Sequence, residues 1–61
     1  MSLIELRLKA KMLQREVANK LDVSQAAVSH WETGDAKPCR KYRQKLARLY
    51  GVTEEELLND M

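Results

Sequence analysis

Gln25, Ala26, Ser29, His30 and Thr33 recur at spacings of one, three and four, so on a helix they share one face. None of them is acidic, in a chain whose residues are 33% charged. Short hydrogen-bonding heads and methyl groups on such a face can enter a groove about 12 Å wide and meet base edges there. A glutamine can pair with both N6 and N7 of adenine, and the methyl of Ala26 can touch that of thymine. His30 can donate to guanine N7 or O6, or to a phosphate. The same residues would also make an ordinary solvated face. The missing charge favours the first reading.

Other chemistries lack their partners. His30 and Cys39 are the single histidine and cysteine, which excludes an intrachain disulfide and a Cys/His zinc site. No Ser, Cys or carboxylate constellation is placed to use His30 as a base, so no catalytic residue, metal or cofactor is expected and the chain does not read as an enzyme. Arg40 and Lys41 beside Cys39 would suit a redox-active thiol, but a plain exposed or half-buried thiol is the simpler reading. Met1, Met12 and Met61 carry no cofactor logic.

The scaffold for that face is small. The chain has 61 residues, 44% of them apolar, and reads as one domain over 1–61. A domain this size buries only roughly 60% of its unfolded surface, which leaves no room for a deep cleft or an effector-binding domain; no small-molecule effector is expected. No apolar run approaches the ~20 residues that cross a bilayer, and residues 1–5 do not read as a leader. The expected address is the cytoplasm, with no membrane partner. Residues 1–48 hold all 11 bases and five acids, a balance of +6, whereas 49–61 hold four acids and no base. One basic side and one acidic end suit a polyanion, or simply a solvated surface.

The predicted elements are all helical. Ile4, Leu6, Leu8 and Ala10 alternate with charged residues, a strand pattern, but no partner strand is visible. Leu3, Leu6 and Ala10 also fit helical spacing, and Glu5–Lys9 is a favourable i,i+4 pair, so helix 1 is placed at about 2–11. Val17, Ala18 and Leu21 define helix 2 at about 14–21. Asp22 tolerates a left-handed turn, and Ser24 caps helix 3 at about 25–33, with Val28 and Trp31 inward. Gly34 ends it. Helix 4 at about 39–50 turns Leu46, Leu49 and Tyr50 inward and stops at Gly51. Thr53 and Glu56 form a capping box for helix 5 at about 54–60, from which Leu57 and Leu58 pack. The fold class is all-α, five short helices with short connections. The three residues between helices 2 and 3 force a sharp crossing at the small Ala18, a helix-turn-helix layout at about 14–33.

The stretch from Gln14 to Gly34 carries Gln14, Val17, Ala18, Val23, Ser24, Val28, Ser29, Trp31, Glu32 and Gly34. In that order and spacing it resembles the DNA-binding domains of the phage repressor and Cro family, the lambda-repressor-like helix-turn-helix proteins. Pro38 and the Gly51-Val52-Thr53 segment with Leu57 and Leu58 fit as well, so the resemblance covers essentially the whole chain. It implies a transcriptional regulator, bacterial or phage-encoded and nucleoid-associated, that binds double-stranded DNA as a homodimer. Helix 3 becomes the recognition helix, with Gln25, Ala26, Ser29 and His30 at base-reading positions. Gln14, Arg7, Lys37, Arg40 and Lys11 become phosphate contacts, and Arg7 with Glu32 a salt bridge between helices 1 and 3. Dimer contacts are expected around Val52 to Leu57. Two positions depart from the pattern. Lys11 stands where the family usually has Gly, and Leu13 where it usually has Ser or Thr capping helix 2. A lost cap costs about 1 kcal/mol, so helix 2 is expected to fray or start elsewhere. A different class of function, the antitoxin half of a toxin–antitoxin pair, would instead use the acidic 54–60 segment or the Cys39 region to dock a partner.

Overall fold

The computed structural model describes residues 2–59, without the side chains of Leu58 and Asn59. It holds five helices: α1 (Leu3–Lys9), α2 (Gln14–Leu21), α3 (Gln25–Thr33), α4 (Arg40–Tyr50) and α5 (Glu54–Asn59). No strand occurs among the described residues. The alternation near the N-terminus is therefore helical: Leu3 and Leu6 are buried, while Ile4 and Leu8 point outward at 39% and 60% exposure. Ser2 and Glu5 start α1 reciprocally. The Glu5 amide donates to Ser2 Oγ and the Ser2 amide to Glu5 Oε1, both at 3.1 Å.

Each turn is closed by a residue at positive φ. Asp22 has φ +59°, and the Val23 amide reaches back to the Ala18 carbonyl at 3.0 Å. Gly34 and Gly51 end α3 and α4 in the same left-handed region. Lys11 also takes it, at φ +58°, which is where a glycine would cost least. The Lys11 and Met12 amides then bond the Leu8 and Arg7 carbonyls at 2.9 and 3.1 Å.

The core gathers Leu3 and Leu6 of α1, Val17, Ala18 and Leu21 of α2, Val28 of α3, Leu46 and Ala47 of α4, and Leu57 of α5. Ala18 is buried, consistent with a small residue where α2 and α3 approach. Pro38 joins the largest fully buried residues, so it anchors the α3–α4 loop rather than merely punctuating it. Trp31, Leu49 and Tyr50 are half-buried, not fully inward. They lie at the rim because a domain this small has little interior to give large rings. The Leu58 side chain and residue 60 lie outside the described residues.

Candidate nucleic-acid interface

Helix α3 is held from beneath and left open above. Val28 is buried, and the Trp31 ring packs on Tyr42 of α4 with centroids 5.6 Å apart. Ser24 caps the helix by accepting the Ala27 amide at 3.2 Å. Gln25, Ala26 and His30 are exposed, and Ser29 is half-buried. The outward face therefore presents one carboxamide, one methyl and one imidazole, with a hydroxyl lower between them.

A polar network joins that face to α1 and α2. Arg7 Nε donates to Glu32 Oε2 at 2.6 Å, and Arg7 Nη2 to Glu32 Oε1 at 3.4 Å. The two side chains are 13% and 3% exposed, so this pair is shielded from the solvent screening that makes surface pairs weak. Gln14 Nε2 donates to Glu32 Oε1 at 2.8 Å, and Gln25 Nε2 donates to Gln14 Oε1 at 3.4 Å. One carboxylate thus collects donors from α1 and α2, and the chain of bonds ends at the first residue of α3. Arg7 Nη1 adds a bond to the Met12 carbonyl at 3.0 Å, tying the α1–α2 turn to the same centre. Tyr50 feels this centre too. Burial first, then the negative charge of Glu32, push its hydroxyl up to about 12, with Arg7 pulling the other way.

The start of α2 is where sequence expectation and structure differ. Leu13 offers no capping side chain, yet α2 begins at Gln14 without a shift. Glu16 supplies half of a cap, its Oε1 accepting the Leu13 amide at 2.8 Å. The Gln14 carboxamide is engaged on both sides, its nitrogen donating to Glu32 and its oxygen accepting from Gln25. Arg7, Leu13, Gln14, Arg15 and Gln25 line one surface concavity. Arg15 was not singled out by sequence reasoning; its position at the second residue of α2, next to Gln14, was the available signal. Lys11, Lys37 and Arg40 are exposed cations outside this concavity.

The loop carrying Lys37 is well tied. The Gly34 and Ala36 amides both donate to the His30 carbonyl, at 3.0 and 3.2 Å. Thr33 Oγ1 bonds Asp35 Oδ2 at 3.0 Å, and Arg43 Nη1 donates to the Pro38 carbonyl at 3.2 Å. Lys37 and Arg40 therefore leave a fixed loop close to the end of α3. Cys39 is a free, exposed thiol at the α4 N-cap. Among the described residues no group of three His, Cys, Asp or Glu side chains could hold a metal ion, and no helix is long and apolar enough to cross a membrane.

Two packed helices joined through a three-residue turn, the first with a buried alanine and the second with an open and uncharged face, define a helix-turn-helix domain. Comparison with protein families matches residues 3–57 to the helix-turn-helix family, and the chain belongs to it; proteins of this family bind DNA in transcription regulation. The HTH-type transcriptional activator BcrR of Enterococcus faecalis is 33% identical over 55 residues, covering 90% of this chain and 27% of that protein. The chain thus spans about a quarter of that relative's length. No solved structure matches the chain.

Proposed function

We propose that the chain reads a specific double-stranded DNA sequence by inserting α3 into the major groove, as a regulator of the repressor/Cro type. Gln25, Ala26, Ser29 and His30 meet base edges. Arg7, Gln14, Lys11, Lys37 and Arg40 meet phosphates on either side, with Arg15 added by its place in the concavity. The observation that carries this reading is the bonded path from Arg7 through Glu32 and Gln14 to Gln25. It holds the first side chain of an uncharged, exposed helix face in place before any ligand arrives. Pre-organisation of this kind reduces the ordering cost of binding. The chain acts as a homodimer on an inverted repeat with half-site centres about 34 Å apart. An operator that overlaps a promoter makes it a repressor, by excluding polymerase. BcrR is named an activator, so the sign depends on where the operator lies.

Selection of bound duplexes from a randomised pool, at near-physiological salt, tests the reading. An enriched inverted repeat is the expected result. Binding without enrichment, lost steeply as salt rises, would leave only charge attraction and overturn it.

A further inference from the structure

A second set of cations gathers away from the α3 face. Residues 37–48 hold six bases and no acid, and α4 leaves Lys41, Lys45 and Arg48 exposed. Lys20 of α2, also exposed, lies with Lys45 and Arg48 along a shallow groove over Leu21 and Leu49. Lys41 and Lys45 are four residues apart, and Lys45 and Arg48 three. At these spacings like charges on a helix repel. The Lys41 and Lys45 ammonium groups also share one ring, 5.6 and 6.0 Å from the Tyr42 centroid. Among the described residues no carboxylate pairs with any of these cations. The stripe thus carries a self-repulsion that an external polyanion relieves.

We propose that this stripe is a second DNA site, which holds the phosphate backbone of another duplex while α3 holds the first. Charge selects the occupant. Leu21 is buried and Leu49 half-buried, and the exposed large apolar side chains, Ile4, Leu8 and Leu13, lie elsewhere. A membrane surface that takes up an apolar helix face has nothing to receive here. A nucleic-acid backbone needs only cations. B-DNA offers one negative charge per ~1.7 Å of its axis, and Lys41 to Arg48 span about 10 Å of helix. Such contacts carry no sequence information, so this duplex is held without base reading. The first duplex is taken elsewhere on the molecule. No residue of α3, and none of the concavity of Arg7, Gln14 and Gln25, lines the groove. Lys20 lies about 9 Å along α2 from Gln14. The chain measures 24 × 23 × 19 Å. Its least extent is about two Debye lengths at 0.1 M salt, so duplexes on separate sides repel each other weakly. The joining of two duplexes rests on the proposed function for the first of them, whereas the stripe's own site does not.

The test follows backbone amides by NMR while short duplexes are added to the isotopically labelled chain. The first is the duplex selected for α3, or a random one if selection enriches nothing; the second is an excess of random sequence. The first duplex is expected to move the amides of Gln25 to His30. The second should move those of Lys20, Lys41, Lys45 and Arg48 without displacing the first. K45Q/R48Q keeps good helix formers in place. It should weaken the second event about tenfold or more and lower its salt slope by about 2, with first-duplex affinity within about threefold of wild type. In a capture assay, a tethered first duplex loaded with wild type should retain a labelled second duplex, and K45Q/R48Q should retain at least tenfold less. Stripe amides that stay still, or that move only together with the α3 amides in the first event, would overturn the proposal. So would equal capture by K45Q/R48Q, which would mean that paired copies join duplexes through their α3 faces. Stripe amides moved by vesicles of pure phosphatidylglycerol and not by DNA would overturn it in favour of a membrane surface. If the stripe amides move while the α3 amides do not, the proposed function fails and the stripe's DNA site stands.

Discussion

The two helices of the helix-turn-helix unit begin in different ways. Helix α3 is started by its own neighbour: Ser24 accepts the Ala27 amide and Asp22 makes the preceding turn. Helix α2 is started from a distance. Its N-cap is a leucine, Glu16 reaches back to the Leu13 amide, and Arg7 of α1 holds the Met12 carbonyl while pairing with Glu32 of α3. A local start can be read, and broken, at one residue. A distant start makes α2 answer to the same Glu32 carboxylate from which bonds run through Gln14 to Gln25 at the first residue of α3, so the two starts are coupled.

The largest effect should come from cutting that coupling. Arg7→Ala leaves the Glu32 carboxylate buried with Gln14 as its remaining donor, and removing one partner of a buried pair costs about 3–5 kcal/mol. A domain of this length holds roughly 3–9 kcal/mol in total, so urea unfolding should show a severe loss. A loss under about 1 kcal/mol would mean that α2 starts without the Arg7–Glu32 centre.

Exchanging caps should produce opposite signs. Ser24→Ala should lower stability by about 1 kcal/mol, and Leu13→Ser should raise it by a similar amount, because Glu16 already provides the reciprocal half and Leu13 is 52% exposed. Equal signs in thermal unfolding would dissolve the distinction between the two starts. Lys11→Gly, in the turn before α2, should stabilise by about 1 kcal/mol through relief of a left-handed non-glycine backbone. Destabilisation there would show that the lysine side chain matters more than its φ.

The smallest effect concerns Tyr50, whose hydroxyl is pushed up by burial first and by the Glu32 charge second, with Arg7 pulling the other way. Its hydroxyl titrates at 10.0 when unfolded and about 12 when folded. Between those values the unfolded chain has released a proton that the folded chain keeps. Its contribution is therefore whole below pH 10.0 and is lost as pH rises toward about 12. The stability difference between the parent and Tyr50→Phe should shrink over that window; a difference that stays constant would remove Tyr50 from the centre.

What could be read in the sequence follows the same division. The bounds of α3 were legible because Ser24 and Gly34 are its own punctuation. Spacing puts Gln25, Ala26, Ser29, His30 and Thr33 on one face, of which Ser29 is half-buried; the choice of Gln25, Ala26, Ser29 and His30 within it is what the family resemblance implies. Leu13 points to a frayed α2 because, although Glu16 answers the Leu13 amide locally, the other tie at this start joins Arg7 to Glu32, residues 25 positions apart in the chain. Trp31 fitted the core period, and only the structure shows its ring shared with Tyr42 at the rim. Leu57 reads from the sequence as packing inward from helix 5, and it is fully buried; it therefore cannot also belong to the dimer surface expected around Val52 to Leu57.

The central claim is that the outward face of α3 reads bases and is not merely solvated. It is tested most directly by measuring Gln25→Ala binding to the selected duplex and to random duplex at one salt concentration. The account predicts a loss of about 1–3 kcal/mol on the selected duplex, relaxed preference at one base position, and no loss on random DNA. Equal losses on both would contradict it and leave Gln25 as a contact to the DNA backbone.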